Sequence, residues 1–326
     1  MIDLKSLRKK ISNKYNRIYI FPNNIYSKYI KKKIKKNFIF SDSYSPLKSN
    51  LIRPVNIKDY KNTLLIVTDK KIFKSLNLKF NKTEIFIFTI KENRKIIELN
   101  SKKKNKKKLS SLFLKYNTDK AKYYKRLGFK DKSHNFGPIY EKKFNKFRMK
   151  NFNILEIGAY RGASAAAFHD FFYNSMIYTI DINPNLMQYK SQRIKFIKMD
   201  YTNYTQVRKF KKKYYNFFDI IIDDGGHFKS HIIRNIKNFY YCLKRDSFYV
   251  IEGFGLKYSH FNDLKYEHSI FDILKFFNKK KFFNSKILTV KNQKTIFKTL
   301  KYVDIYKGSY VRNGFNLSDI CFLKRI

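Results

Sequence analysis

Residues 218–231 read FDIIIDDGGHFKSH: an apolar run ends in Asp223 and Asp224, then two glycines, then His227. Adjacent carboxylates with an imidazole three residues on can prepare a hydroxyl to act as a nucleophile. A carboxylate can hold a cation against the hydroxyl, and an imidazole can take its proton. A second apolar run, YVIEG (249–253), ends in Glu252 and Gly253.

Three further segments carry acids at matching places. In NILEIGAYRGAS (153–164), Glu156, Gly158 and Gly162 follow an apolar run. Glycine at 158 permits a sharp turn and close approach of a ligand to the backbone. A helix starting beyond it offers free N–H groups and a partial positive charge. In YTIDINP (178–184) Asp181 can accept from two ribose hydroxyls, and in IKMDYTN (197–203) Asp200 can accept from an adenine amino group. Of the nine acidic residues between 150 and 255, seven stand at or beside expected strand ends: Glu156, Asp181, Asp200, Asp219, Asp223, Asp224 and Glu252. Solvated charges have no preference for such places. The carboxyl edge of an open parallel sheet is where ligands bind, so a nucleoside site is expected there.

The elements that would position these residues form a Rossmann-like α/β fold. Five apolar strands end at Glu156–Gly158, Asp181, Asp200, Asp223–Asp224 and Glu252, with helical segments between them. KTLKYVDIY (298–306) and SDICFLKRI (318–326) would close the mostly parallel sheet as an antiparallel pair. Residues 1–92 form a smaller α/β Rossmann-like domain with strands at RIYIF (17–21), NFIFSD (37–42), NTLLIVTD (62–69) and EIFIFTI (84–90). Its opening resembles nucleotide-binding domains of sugar-modifying proteins, but PNNIYS (22–27) has none of the glycines that admit a pyrophosphate. A structural or partner-binding role is expected for it. Residues 93–110 read as a basic linker, and 111–326 as the ligand-binding domain.

LEIGAYRGAS, YTIDINP, IKMDYTN, FDIIIDDGGH and YVIEG together resemble the class I S-adenosylmethionine-dependent methyltransferases. RGAS, DDGGH and YVIEG resemble, more narrowly, the metal-dependent sugar O-methyltransferases of the mycinamicin and capsule or O-antigen type. NTDK (117–120) and HNFGPIYEKKF (134–144) resemble that subgroup's preamble. The resemblance covers about residues 112–260. It implies that Glu156, Gly158, Arg161, Gly162, Ala163 and Ser164 line the methionine and ribose part of S-adenosyl-L-methionine. It further implies that Asp181 holds the ribose, Asp200 the adenine edge, and that Asp223 lies near the sulfonium and amino group. Asp224 and Glu252 would ligate Mg²⁺, Asp224 and His227 would be catalytic, and His227 would be the general base. His134 and Tyr140 would help close the site, and Tyr258 and His260 could touch the acceptor. Gly253 stands where the subgroup has a third metal-ligating acid. Weaker metal binding, completion by water and loss of the metal are the open alternatives.

Lys and Arg number 72 against 24 Asp and Glu, for a net charge of +48. An anionic partner, such as a membrane surface, nucleic acid or a phosphorylated substrate, is one reading. The abundance of Lys, Asn, Ile, Phe and Tyr, all with A/T-rich codons, gives a compositional one. The basic run at 91–110 has no interleaved aromatics to stack bases, which disfavours nucleic acid. No apolar run approaches the ~18 residues of a membrane span, and no signal peptide is read at the start. Two cysteines without metal-ligand spacing suit a reducing compartment. The expected place is the cytoplasm, with peripheral membrane association and an oligomer left open. The expected activity is O-methylation of a sugar hydroxyl in a surface polysaccharide, a glycolipid or a glycosylated metabolite. RNA methylation and a catalytically silent scaffold are the alternatives.

Overall fold

The computed structural model describes residues 96–101, 106–126, 129–255, 262–312, 315–316 and 318–326. In the amino-terminal part it describes Ile30 and the segments 17–21, 39–40, 63–67 and 84–87. The chain divides into two compact units, Met1–Arg94 with Lys125–Phe129, and Lys95–Tyr124 with Lys130–Ile326.

In the first unit, β1 (Arg17–Phe21), β2 (Ile39–Phe40), β3 (Thr63–Val67) and β4 (Glu84–Ile87) form one sheet. Its order is β2-β1-β3-β4 and every pairing is parallel. The glycine-free segment 22–27 lies outside the described residues.

The second unit opens with β5 (Ile97–Glu98), α1 (Leu109–Tyr116), the strands β6 (Tyr123–Arg126) and β7 (Phe129–Lys132), of which Lys125, Arg126 and Phe129 count with the first unit, and α2 (Gly137–Phe144). Then follow β8 (Asn153–Ile157), α3 (Ala163–Phe171), β9 (Met176–Asp181), β10 (Tyr189–Lys190), β11 (Ile194–Lys198), α4 (Tyr204–Lys213) and β12 (Phe218–Asp223). The remainder is α5 (Lys229–Phe239), β13 (Leu243–Glu252), α6 (Ile270–Asn278), α7 (Val290–Thr299), β14 (Leu300–Lys307), β15 (Val311–Arg312), β16 (Phe315–Asn316) and β17 (Asp319–Arg325). Within the basic segment, Ile97–Glu98 pair parallel with Tyr189–Lys190.

The main sheet has the order β11-β9-β8-β12-β13-β17-β14. The first five strands run parallel, and β17 runs antiparallel to both β13 and β14, the closing pair that the sequence pattern calls for. Sheet order reverses at β8, so the ends of β8, β9 and β12 meet at a switch point, the usual ligand position in such sheets.

Strand alternation sorts the side chains into two cores. Ile154, Ile220, Ile222 and Val250 face the layer built by α1, α2 and α3. Leu155, Ile157, Ile221, Tyr249 and Ile251 face the layer of α4, α5, α6 and α7. Ala165, Ala166 and Ala167 are fully buried and let α3 lie close to the sheet. Phe113, Tyr140 and Phe168 meet edge to face, centroids 5.5–6.1 Å apart, and fix α1, α2 and α3 against one another.

Candidate functional site

The site grows from the end of β8. Gly158 has φ +91°, and a Cβ there would lie 2.2 Å from the Asp224 carbonyl oxygen. Only glycine allows β8 and β12 to end so close together, and Asp224 N–H donates to Ile157 O at 3.0 Å. Gly162, φ +74°, caps the start of α3, where Met187 fills the space a Cβ would need.

A cavity of about 470 Å³ opens at this switch point, within the range of small-molecule sites. Gly158, Asp181, Asp200, Tyr201, Asp224 and His231 are among the residues lining it. Asp181 is held by the Tyr160 N–H at 2.8 Å and the Asn183 N–H at 3.0 Å. Asp200 takes the hydroxyl and the N–H of Thr202, at 2.6 and 2.8 Å, which hold its carboxyl below the usual range. The N–H of Gly226 donates to the Tyr201 hydroxyl at 2.7 Å, and His231 Nδ1 stands 3.3 Å from that oxygen. Burial lowers the His231 pKa. A Cβ at Gly225 or at Gly226 would lie 3.0 Å from the Tyr201 hydroxyl, so these glycines make space for Tyr201.

Glu156, Asp224 and Glu252 converge from three neighbouring strands. Glu156 is fully buried and takes the Ser164 hydroxyl on Oε1, while its Oε2 has no hydrogen-bond partner. Burial pushes Glu156 up to about 7, against the pull of Lys120 and Ser164. Lys120 Nζ lies 2.5 Å from Asp224 Oδ2, 2.7 Å from Glu252 Oε2 and 3.9 Å from Glu156 Oε1. Burial opposes the lysine's charge, but these carboxylates outweigh it and hold the ammonium well above the usual lysine range. The Tyr140 hydroxyl donates to Glu252 Oε1.

His227 adopts φ +56°, with Nδ1 3.3 Å from the Glu252 carbonyl oxygen and Nε2 3.7 Å from Asp224 Oδ1. A carbonyl oxygen only accepts, so in this contact Nδ1 is the donor, and the neutral form of the ring has its lone pair on Nε2, on the Asp224 side.

The expected residues therefore divide. Gly158, Asp181, Asp200 and Asp224 line the cavity, and His227 and Glu252 flank Asp224. Glu156, Gly162, Ala163 and Ser164 build the β8–α3 turn, and Arg161 O accepts from Gln188 N–H at 3.1 Å within the same turn. Asp223 departs from expectation. It is turned into the α5 side of the sheet, where Asn235 Nδ2 donates to it at 3.0 Å and the Tyr249 hydroxyl at 3.1 Å. Strand alternation is the reason: Asp223 follows Ile221 onto that face, and Asp224 follows Ile222 onto the other. Asp219 also lies away from the cavity, at the start of β12, where it takes Asn153 N–H at 2.8 Å. His134 meets Ser318 Oγ at 3.1 Å and stacks on Phe136. Tyr258 and His260 lie outside the described residues.

Lys120 ends the NTDK segment, whose sequence by itself points to no role for the lysine. Three acids on one face of adjacent strands are the signal that a buried cation must join them.

No family model matches the chain. Among solved structures, the methyltransferase MycE of mycinamycin biosynthesis, in complex with Mg, SAH and mycinamycin VI, aligns with TM-score 0.52 and 21% identity. The alignment covers 69% of this chain and 55% of that one. The fold is that of a class I methyltransferase. In sequence, demethylmacrocin O-methyltransferase of Streptomyces fradiae is 28% identical over 132 residues, 38% of this chain and 33% of that protein. Mycinamicin VI 2''-O-methyltransferase of Micromonospora griseorubida is 29% identical over 132 residues, with the same coverage. A 2'-O-methyltransferase of Streptomyces olivaceus, named for a rhamnosyl tetracenomycin, is 24% identical over 132 residues. The chain thus matches about a third of the length of these curated relatives. No helix among the described residues is long and apolar enough to cross a membrane.

Proposed function

We propose that the second unit is an S-adenosylmethionine-dependent O-methyltransferase whose acceptor is a sugar hydroxyl. The observation that carries the reading is the placement of Asp224: it lines the cavity at the β8 turn, and its Oδ1 stands 3.7 Å from His227 Nε2. A proton acceptor thus sits beside the place where the cofactor would end.

The residues suit that cofactor. Asp181 suits ribose hydroxyls, and the unpartnered, buried Glu156 Oε2 suits a cationic amino group near the start of α3. Gly158 lets a ligand lie against the backbone. Bound there, S-adenosylmethionine would supply the methyl group on a sulfonium. His227 Nε2 takes the acceptor's proton as the methyl arrives, and the Glu252 carbonyl fixes the ring's tautomer and orientation. Asp224 Oδ1 orients the hydroxyl and stabilises the imidazolium that forms. Methyl transfer is an in-line displacement, so holding hydroxyl and donor in line supplies much of the acceleration.

The rhamnosyl compound in one relative's name supports a glycosylated metabolite as acceptor. Glycolipids and surface polysaccharides offer the same hydroxyl chemistry. The test is calorimetry with S-adenosylhomocysteine (SAH), followed by transfer of labelled methyl groups to a panel of glycosylated acceptors. Transfer that His227→Asn loses supports the reading. Folded protein that binds neither S-adenosylmethionine nor SAH overturns it.

A further inference from the structure

We propose that in this chain the buried ammonium of Lys120 fills the cation position between Asp224 and Glu252, and that no divalent metal ion is held there. The proposal deepens the methyltransferase reading and rests on it for its catalytic meaning.

The first ground is where Lys120 comes from. Its side chain is 1% exposed, and its backbone is pinned on both sides. Lys120 N–H donates to the Thr118 hydroxyl at 3.3 Å, and Lys120 O accepts from Phe136 N–H at 2.8 Å. The neighbouring Asp119 carbonyl accepts from the Ser133 hydroxyl and from His134 N–H. The side chain is therefore aimed at the acids by the segment between α1 and α2.

The second ground is the state of the donors. Both oxygens of Glu252 are engaged, Oε1 by Tyr140 and Oε2 by Lys120. Asp224 Oδ2 is also bonded to Lys120. Mg²⁺ demands about six oxygen ligands at roughly 2.0–2.1 Å in near-octahedral array. To reach both carboxylates, a dication must displace the ammonium or sit against it, and the buried ammonium has no solvent to withdraw into.

The third ground is Gly253. Its φ is +64°, and a Cβ there would lie 2.9 Å from His227 Cε1 and Nδ1. This position thus supplies no third carboxylate, and a side chain there would have to displace the His227 ring that faces Asp224. Among the described residues, no group of three or more His, Cys, Asp or Glu could hold a metal ion.

A fixed ammonium does part of a cation's work. It pairs with Asp224 and Glu252 and holds them oriented in a buried place, which leaves Asp224 Oδ1 to meet the acceptor beside His227. It offers no open coordination position, so acidifying the hydroxyl falls to His227 alone. Lys120 is in this sense a positioning residue.

The experiment uses Mn²⁺ as a spectroscopic stand-in for Mg²⁺, titrated into the full chain with and without SAH and read by electron paramagnetic resonance. The expected result is no stoichiometric Mn²⁺ site in either condition. One equivalent bound by the unaltered chain and lost in Asp224→Asn overturns the proposal. Lys120→Met supplies a second readout, because it leaves the two carboxylates uncompensated. Its Tm is expected to fall by roughly 10 °C and to recover in part with Mg²⁺ or Mn²⁺, while that of the unaltered chain does not respond. A folded Lys120→Met with unchanged Tm and no cation response also overturns the proposal. Should the variant not fold, the Mn²⁺ titration of the unaltered chain decides alone. Failure to bind SAH would remove the methyltransferase reading and leave the Mn²⁺ result standing, so the two are distinguishable.

Discussion

Asp223 and Asp224 share a peptide bond and serve opposite faces of one sheet. Asp224 lines the cavity, while Asp223 is 3% exposed between Asn235 and Tyr249 on the α5 side. One carboxylate of the pair is therefore available to a ligand, and the other ties β12 to α5 and β13.

This division makes Asp223 the source of a pH effect. Burial pushes its carboxyl from 3.8 up to about 7, against the hydrogen bonds from Asn235 and Tyr249. The native state keeps a proton that the unfolded chain has already lost. The sign follows: the contribution of Asp223 to stability is fully present below about pH 4 and declines as pH rises to about 7, by at most on the order of 4 kcal/mol. Asp223→Asn keeps an acceptor for Asn235 and removes the charge. Its Tm is expected to vary less with pH across that window and to exceed that of the unaltered chain at about pH 8. SAH affinity should not change, and calorimetry checks it. A large loss of affinity would mean that Asp223 reaches the cofactor.

Asp181 combines two tasks, because its oxygens hold the Tyr160 and Asn183 N–H groups and also border the cavity. Asp181→Ala removes the carboxylate proposed to hold the ribose and loosens the turn that carries Tyr160. Hydrogen bonds to charged groups contribute about 1.5–3 kcal/mol. The SAH affinity measured by calorimetry should therefore fall by about 10- to 100-fold. Undiminished binding by Asp181→Ala would place the ribose elsewhere.

Residue order alone made much of this arrangement legible. Apolar strands that each end in an acid predict the carboxyl edge as the site, and Gly158, Asp181, Asp200 and Asp224 all meet there. The direction of Asp223 was readable in principle, since period-two alternation puts it on the face of Ile221. The family resemblance drew it toward the cofactor instead. The room at Gly225 and Gly226 was not readable, because Tyr201, which fills it, comes from the loop after β11. Lys120 was the hardest. One lysine among 72 basic residues carries no local mark, and its partners Asp224 and Glu252 lie 104 and 132 residues away. Only packing α1 and α2 on the face that carries Glu156, Asp224 and Glu252 brings it in.

For His227 the informative change is to asparagine, which tolerates the left-handed backbone found at φ +56°. The fold and the cavity should survive, since His227 is 30% exposed and makes a single long hydrogen bond to the Glu252 carbonyl. The proton acceptor proposed above does not survive. Methyl transfer is expected to fall by about 10²–10⁴-fold with SAH affinity unchanged. A variant with near-normal turnover would assign the base to another group.

Gly253 tests the same ring from the other side. A methyl group there meets two problems: φ +64° costs an L-residue roughly 1–2 kcal/mol, and the new Cβ lies 2.9 Å from the His227 imidazole. The backbone cannot yield easily, because Gly253 N–H donates to the Asp319 carbonyl at 2.8 Å and ties β13 to β17. The imidazole is the softer partner, so it should turn away from the Glu252 carbonyl and lose the orientation that points Nε2 toward Asp224. Gly253→Ala is therefore expected to lower Tm by a few degrees and to reduce methyl transfer by more than that loss of stability explains. SAH affinity should hold, because Gly253 does not border the cavity. Equal turnover in Gly253→Ala would show that His227 can leave this pose without consequence, and would remove the glycine from the account of how the base is aimed.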